Sequence, residues 1–314
     1  MNPISVPHLI ELTLEKGGSK IVSTVSTFGA ALKTLSVNEI EIITPTNGHE
    51  PNPYGDGVVL APWANRIDRG QWQLDGKTLQ LDVNEKELDN ALHGLVAKNV
   101  FEVTSQTKDS VTLQTFIEPT PGYPFSLKIS VTYQLTENGI STLHTATNIG
   151  SEVAPFMVGT HPYFQISGTP TKDLEVKTTA RSIDLVNERK IPIERTAIAG
   201  THFDITDWRK LSTCDFDHGF GDFERDAQGR GHTWLRSPGG QVLDVWQSAE
   251  MKYAFIFTPD FYYNTSDSTK RHAIAIEPQT AAANAFKSKE DLIWLEPNQV
   301  FEASWGVVFT PANL

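Results

Sequence analysis

The chain has 314 residues, and its 26 basic and 38 acidic residues give it a formal net charge of −12. A surface of this sign repels polyanions, which argues against nucleic acid or an anionic membrane as a partner and favours a neutral small molecule. Because β sandwiches and barrels of more than about 200 residues often fold as one unit, the length does not require a division. We therefore expect a single domain over residues 1–314.

The cysteine content and the N-terminal segment bear on the cellular compartment. Cys214 is the one cysteine, so the chain has neither an internal disulfide nor a cysteine pair that would hold a structural metal. The segment Met1 to Lys20 carries Glu11 and Glu15 among its apolar residues and lacks the pattern of a secretory leader. No stretch approaches the roughly 18 apolar residues that span a bilayer. These features favour a cytoplasmic location.

Short segments of alternating polar and apolar residues recur along the chain, and this period of two predicts β-strands. In chain order they cover residues 9–14, 20–25, 31–37, 71–74, 127–135 and 241–246. Dipeptides that favour the positive φ angles of tight hairpin turns adjoin them at Gly17-Gly18, Asp75-Gly76, Asn138-Gly139 and Gly239-Gly240. The proline-rich stretch Pro45 to Pro62 is predicted to be a long surface loop, and loops of that length are often functional.

The fold class follows from what covers these strands. No amphipathic stretch with a period of 3.6 residues extends over three helical turns, so each sheet is expected to pack on another sheet rather than on helices. No low-complexity linker or internal repeat interrupts the pattern. The sequence therefore predicts an all-β protein built as a large, mostly antiparallel sandwich.

Several common functional motifs are absent. The segment Asp75 to Thr78 ends like a phosphate-binding loop, but Gln71 stands where the first glycine of that loop should be, so it is predicted to be a hairpin turn. No two histidines have the i, i+4 spacing with an intervening glutamate that a helical zinc site needs. Neither a nucleophile elbow nor a dinucleotide-binding glycine loop occurs. We expect no metal and no cofactor.

Two polar positions in the first third of the chain stand out. Within residues 61–70, a proline-broken loop carries Arg66 close to Trp63. A guanidinium donates several hydrogen bonds in a rigid fork, which suits a hydroxyl-rich ligand, and an indole can cover the apolar face of a pyranose. A solvated surface arginine is the alternative. The second position is His93, where the following Gly94 permits close backbone approach, although a histidine that caps a turn is an equal alternative.

Three further polar positions lie in the second half of the chain. His161 follows the apolar segment 154–158, and an imidazole can give or take a proton near neutral pH, although a structural histidine is the alternative. Asp217 can accept hydrogen bonds from sugar hydroxyls or cap a turn. A strand of Ala and Ile ends on Glu277, which predicts a carboxylate at the rim of the core, where desolvation raises its pKa toward that of a general base. A surface-facing glutamate is the alternative.

In chain order, these positions resemble the aldose 1-epimerase (galactose mutarotase) family. The motifs are Ala-Asn-Arg-Ile-x-x-Gly, Leu-His-Gly, Thr-His-Pro-Tyr-Phe, Asp-His-x-Phe and Glu-Pro-Gln-Thr, and they run from about Gly57 to Ser288. The resemblance implies a galactose mutarotase-like β-supersandwich. It also implies Glu277 as general base and His161 as general acid, with a sugar-binding set of Arg66, His93 and Asp217. Further candidates for sugar binding are Asn65, Gln279, Trp63 and Tyr163. The candidates for aromatic stacking on the sugar are Trp63, Tyr163 and Trp246.

The implied reaction interconverts the α and β anomers of a free hexose without a cofactor. Glu277 removes the proton of the anomeric hydroxyl while His161 protonates the ring oxygen. The ring opens, the C1–C2 bond rotates, and the ring closes with the roles reversed. This state has Glu277 ionised and His161 protonated, so a bell-shaped pH profile is expected, and Arg66 and His93 can stabilise charge on the ring oxygen.

Three alternatives stay open at this level. A hexose-6-phosphate 1-epimerase would need a cluster of cations, and near a motif only Arg66 and Arg69 are paired in sequence. A non-catalytic carbohydrate-binding protein could keep the same fold. A glycosidase would use two carboxylates, Asp217 and Glu277, across a glycosidic bond. The identity of the sugar and the choice between a monomer and a homodimer are also open.

Overall fold

The structure is a computed structural model that describes residues 6–44, 54–263 and 270–312. Within these ranges the regular structure is almost entirely β. The exceptions are one short helix, α1 (Ala285–Ser288), and two single turns of 3₁₀ helix at Thr171–Asp173 and Leu211–Thr213. The all-β prediction is confirmed.

The strands follow one another along the whole chain and differ widely in length. The first half contains β1 (Leu9–Lys16), β2 (Ser19–Ser26), β3 (Leu32–Val37), β4 (Ile40–Glu41), β5 (Val59–Leu60), β6 (Arg66–Asp68), β7 (Gln71–Leu74), β8 (Lys77–Gln80), β9 (Asn90–Leu92), β10 (Glu102–Gln106), β11 (Ser110–Ile117), β12 (Leu127–Thr136), β13 (Gly139–Asn148), β14 (Ala154–Phe156) and β15 (Gly159–Thr160). The second half contains β16 (Tyr163–Phe164), β17 (Glu175–Thr178), β18 (Ser182–Val186), β19 (Pro192–Ala197), β20 (Arg209–Lys210), β21 (Asp217–Gly221), β22 (Gly231–Arg236), β23 (Val242–Gln247), β24 (Tyr253–Phe257), β25 (Tyr262–Tyr263), β26 (Lys270–Arg271), β27 (Ile274–Gln279), β28 (Ile293–Leu295) and β29 (Val300–Thr310).

The six strands predicted from alternation are all present as β1, β2, β3, β7, β12 and β23. In β12 every second residue is buried, and these inward residues are Leu127, Ile129, Val131, Tyr133 and Leu135. Both residues of the Gly17-Gly18 and Asp75-Gly76 turns have positive φ, as predicted, whereas only the second residue does so at the other two turns. Strands of two or three residues are too short for a period of two to be recognised, so alternation does not predict them.

Three sheets form the body of the protein. A four-stranded sheet has the order β1-β2-β3-β4, and a nine-stranded sheet has the order β10-β11-β12-β13-β29-β23-β22-β17-β20. An eight-stranded sheet has the order β19-β18-β21-β24-β27-β15-β5, with β16 also paired to β27. All strand pairs within these sheets are antiparallel. Buried apolar residues from all three sheets belong to one continuous core, including Leu12, Val131 and Ile276.

The eight-stranded sheet corrects two predictions. The strand β27 does not end on Glu277 but continues through Gln279, and all six of its residues are buried, so Glu277 lies inside the sheet rather than at the rim of the core. The predicted surface loop Pro45 to Pro62 is wrong in its second part, because residues 56–62 are buried and contain β5. Residues 45–53 of that segment lie outside the described residues.

Candidate active site

The pairing of β27 brings two of the predicted catalytic residues together. On one side of β27, Gly159 pairs with Gln279 and Tyr163 pairs with Ala275. The partner strand is interrupted between these two pairs, and continuing the same antiparallel register places His161 opposite Glu277. Residues opposite each other on antiparallel strands project to the same face of the sheet. The register of two short strands therefore sets up the contact.

On the other side of β27 the same face continues into β24 and β21. Glu277 pairs with Phe255, and Ala275 pairs with Phe257, which in turn pairs with Asp217. This face forms the floor of a cleft with a volume of about 810 Å³. The predicted residues that line the cleft are Trp63, Asn65, Arg66, His93, His161, Tyr163, Asp217 and Glu277.

The His161–Glu277 pair is a buried polar contact on the floor of the cleft. The imidazole Nε2 lies 3.2 Å from Oε1 of the carboxyl group, and the side chains are 6% and 1% exposed. The other carboxyl oxygen accepts a hydrogen bond of 3.1 Å from Nε2 of Gln279. Gln279 is not among the residues that line the cleft, and its amide holds the carboxyl group of Glu277. Its contact with the sugar stays a prediction.

Burial favours the neutral form of both partners. It raises the pKa of the Glu277 carboxyl well above the usual range, and the negative charge of Asp217 acts in the same direction. Burial also lowers the pKa of the His161 imidazole to about 4, and the positive charge of Arg66 adds to this. Both shifts favour the form in which the carboxyl group holds a proton and the imidazole is neutral. The reactive state expected from the sequence has the same number of protons, and the two forms differ by one proton transfer along the 3.2 Å contact.

His93 lies against His161 in an edge-to-face arrangement, with the ring centroids 5.2 Å apart and the planes at 85°. Burial lowers the pKa of His93 well below its usual value, and His161 and Arg66 act in the same direction, so its imidazole is neutral. The backbone at this point is close-packed: Gly94 has a φ of +74°, and a Cβ atom on it would lie 2.2 Å from the carbonyl oxygen of Ala61. The close backbone approach that a glycine after His93 permits is therefore present, between Gly94 and Ala61.

Arg66 lies in a chain of alternating charges. Its Nε donates to both carboxylate oxygens of Glu85 at 3.0 Å, and its NH1 group lies 3.3 Å from Oδ1 of Asp217. The other oxygen of Asp217 lies 3.2 Å from Nζ of Lys190. The guanidinium and Asp217 are thus held in fixed positions at the cleft. The sequence does not predict Glu85 and Lys190, because they carry no motif and only tertiary folding brings them to the site.

The aromatic candidates separate into two groups. Trp63 and Tyr163 line the cleft and are 2% and 1% exposed. Trp246 is instead on β23 of the nine-stranded sheet, where the guanidinium of Arg230 lies 4.0 Å from its ring centroid. The prediction that Trp246 forms part of a stacking surface in the cleft is wrong, because the alternation of β23 does not reveal which sheet the strand joins.

Residues 6–44, 54–263 and 270–312 contain neither a metal-binding cluster nor a membrane-spanning helix. In these ranges no three His, Cys, Asp or Glu side chains lie together in a way that could hold a metal ion. None of the helices there is long and apolar enough to cross a membrane.

The antiparallel sheets, and the buried His161–Glu277 pair on the floor of an open cleft, describe a β-sandwich protein with a polar site in that cleft. The chain belongs to the aldose 1-epimerase family, whose family model, described as "Aldose 1-epimerase", matches residues 11–306. The expected galactose mutarotase-like fold is also confirmed. The aldose epimerase homologue from C. elegans superimposes with a TM-score of 0.86 at 19% identity, covering 98% of this chain and 100% of that one.

Three relatives of known sequence are similar over different lengths. The uncharacterized protein YihR of Escherichia coli is 29% identical, with 95% of this chain and 94% of the relative covered. The maltose epimerase of Levilactobacillus brevis is 30% identical, with 92% and 87% covered. Human galactose mutarotase is 30% identical over 60% of this chain and 58% of its own length.

Proposed function

We propose that this protein is an aldose 1-epimerase that interconverts the anomers of a free hexose by ring opening and closure. The observation that carries the proposal is the contact of 3.2 Å between His161 Nε2 and Glu277 Oε1 on the floor of the cleft. The two oxygens that exchange protons in this reaction, the anomeric hydroxyl and the ring oxygen, are bonded to the same carbon. An acid and a base that serve both must be close neighbours.

The proton count of the pair suits the reaction. With one proton between them, one group can take the proton of the anomeric hydroxyl while the other gives a proton to the ring oxygen, and no net charge enters the buried site. After rotation about C1–C2 the same groups close the ring in the opposite sense. Each positioned acid or base contributes about 10²–10⁴-fold to such a reaction.

The other cleft residues supply binding. Arg66 and Asp217 offer a donor and an acceptor whose positions are held by Glu85 and Lys190. Neutral His93 can donate or accept a hydrogen bond near the ring oxygen. The remaining candidates, Asn65, Trp63 and Tyr163, provide an amide and two aromatic surfaces for the sugar ring.

The charges favour a free sugar over a phosphorylated one. Arg66 is already paired with two carboxylates, and Arg69 is 59% exposed, lies 3.7 Å from Asp89 and does not line the cleft. The names of human galactose mutarotase and of a galactose 1-epimerase from Lactobacillus acidophilus, with a TM-score of 0.79 at 19% identity, support a hexose substrate. The paired acid and base support an enzyme over a binding protein.

Polarimetry of freshly dissolved α-D-glucose and α-D-galactose tests the proposal. The wild-type protein should accelerate mutarotation of at least one of them, and Glu277→Gln should reduce the rate by about 10²-fold or more. The amide can still accept from Gln279 and donate to His161, so the variant should fold. Glu302→Gln, an exposed position on β29, is the matched control and should behave as wild type. The absence of acceleration with both sugars would contradict the proposal.

A further inference from the structure

His218 belongs to the Asp-His-x-Phe motif, but the proposed reaction gives it no role. It follows Asp217 on β21 and is not among the residues that line the cleft. Its side chain nevertheless contacts Asp217, because Nδ1 of the imidazole accepts a hydrogen bond of 3.0 Å from the backbone N–H of Asp217. The second residue of the motif is therefore joined to the backbone of the first, whose carboxylate we propose to bind the sugar.

The pairing of β21 explains why this N–H group has a side-chain partner. Thr258 donates from its backbone N–H to the carbonyl oxygen of Phe216 at 2.9 Å, and the N–H of Phe216 donates to the Thr258 hydroxyl at 2.8 Å. Successive N–H groups of a strand point to opposite edges, so the N–H of Asp217 points away from β24 and toward β18. The pairing of β18 with β21 ends at Phe220 and does not reach Asp217. The strand supplies no acceptor for this N–H, and the imidazole of His218 supplies one.

The contact also fixes the protonation state of the ring. A ring nitrogen that accepts a hydrogen bond carries no proton, so the neutral imidazole of His218 has its proton on Nε2. Burial lowers the pKa of His218, against the negative charge of Asp217 and together with the positive charge of Lys190. The ring packs against Phe203, with the centroids 4.7 Å apart. The acceptor is therefore neutral near pH 7 and is held in place by an aromatic contact.

Asp217 is thus anchored at both its side chain and its backbone. Its carboxylate lies between Arg66 and Lys190, at distances of 3.3 and 3.2 Å. These contacts direct the carboxylate, and the N–H contact fixes the backbone from which it extends. We propose that His218 is a positioning residue, which accepts from the N–H of Asp217 and thereby fixes the carboxylate of Asp217 for sugar binding. This inference rests on the proposed function and adds to its site a residue outside the cleft.

Two variants separate the acceptor from the bulk of the ring. In His218→Asn the amide oxygen is as many bonds from the backbone as Nδ1 and can still accept the hydrogen bond, whereas His218→Leu keeps an apolar side chain without an acceptor. For whichever of α-D-glucose and α-D-galactose the wild-type protein accelerates, His218→Leu should raise KM by about 2- to 10-fold, the value of one hydrogen bond, with a smaller change in kcat. His218→Asn should stay within about twofold of wild type.

The matched control is His202→Leu. The exposed ring of His202 packs on the same Phe203, with the centroids 3.7 Å apart, but it is not the acceptor for Asp217. Its removal should leave KM unchanged.

Nuclear magnetic resonance tests the contact independently of activity. Nitrogen chemical shifts of the His218 ring, assigned by the loss of its signals in His218→Asn, should place the proton on Nε2 near pH 7. The backbone amide of Asp217 should exchange with solvent about 2- to 10-fold faster in His218→Leu than in the wild-type protein or in His218→Asn.

The outcomes distinguish the inference from the proposed function. A proton on Nδ1, an unchanged amide exchange or KM in His218→Leu, or an equal rise of KM in the two His218 variants would overturn the inference and leave the proposed function intact. If the wild-type protein accelerates neither sugar, the proposed function fails, and the role of His218 in sugar binding fails with it even if the amide exchange changes as expected.

Discussion

The buried position of Glu277 is energetically unfavourable for a carboxylate. A carboxyl group that is 1% exposed and lies within a central strand loses its hydration, and this loss must be offset by local partners. Its two oxygens have partners in Gln279 and His161. The loss of hydration nevertheless raises the pKa of Glu277. A base that exchanges protons near neutral pH needs such a raised pKa.

The pH dependence of mutarotation should follow the proton count of this pair. In the proposed mechanism the active form of the pair holds one proton. It gains a second on the acid side, where burial has lowered the pKa of His161 to about 4, and it loses its only proton on the alkaline side, as the pH rises through the raised pKa of Glu277. The profile of kcat/KM should thus be a bell with an acid limb near pH 4, measured by polarimetry after subtraction of the uncatalysed rate.

Gln279→Leu provides a check on this assignment. The variant removes the hydrogen bond that lowers the pKa of Glu277, so the alkaline limb should move further up while the acid limb stays in place. If the wild-type pH profile is flat, or if Gln279→Leu shifts the acid limb instead of the alkaline limb, the limbs belong to groups other than His161 and Glu277.

Among the elements, the hairpin β18–β19 contributes to the site from a distance. Its turn carries Lys190, whose Nζ lies 3.2 Å from Oδ2 of Asp217, so a segment with no motif helps to hold the carboxylate that we propose as a sugar ligand. Because Lys190 is 36% exposed, the contact is worth at most about 1 kcal/mol. Lys190→Met should raise KM by about two- to fivefold with a smaller change in kcat.

The controls for this hairpin are two lysine variants. Lys190→Arg keeps a cation within reach of Asp217 and should restore most of the binding, while Lys108→Met removes an exposed lysine elsewhere and should have no effect. If Lys190→Met instead lowers kcat by about two- to fivefold and leaves KM unchanged, a positioning role through Asp217 is excluded.

The close approach of Gly94 to Ala61 also supports the site, because it fixes the backbone that carries His93. Gly94 and Gly200 both have a φ of +74°, but an added Cβ meets the Ala61 carbonyl oxygen at 2.2 Å in the first case and nothing within 4 Å in the second. Gly200→Ala should cost about 1 kcal/mol of unfolding free energy through backbone strain alone. Gly94→Ala should cost clearly more, as measured by denaturant unfolding, and an equal loss in the two variants would contradict the crowding.

For the whole molecule, the continuous core has a consequence for unfolding. Buried residues of the four-, nine- and eight-stranded sheets belong to one apolar cluster, so no sheet can lose its packing without exposing the others. The single domain expected over residues 1–314 stays a prediction, which unfolding can test. Denaturant unfolding followed by near-ultraviolet circular dichroism, far-ultraviolet circular dichroism and mutarotase activity should give coincident transitions. Two separated transitions would indicate independent units.

The sequence by itself determined the fold class and the types of residue at the site. Alternation in long strands such as β12 is local information, because side chains on successive residues of a strand point to opposite faces. The order of the short motifs around Arg66, His93, His161, Asp217 and Glu277 was sufficient to indicate the family and further candidates for sugar contact. Of these, Trp63, Asn65 and Tyr163 line the cleft and Gln279 and Trp246 do not.

Only the tertiary structure decided how these residues meet. The contact between His161 and Glu277 depends on the register of β15 and β16 against β27, and these strands are far apart in the chain. The charge chain joins Glu85, Arg66, Asp217 and Lys190 from four separate segments. Local periodicity carries no information on such pairings, because a strand shows which of its faces is buried but not which neighbour covers it.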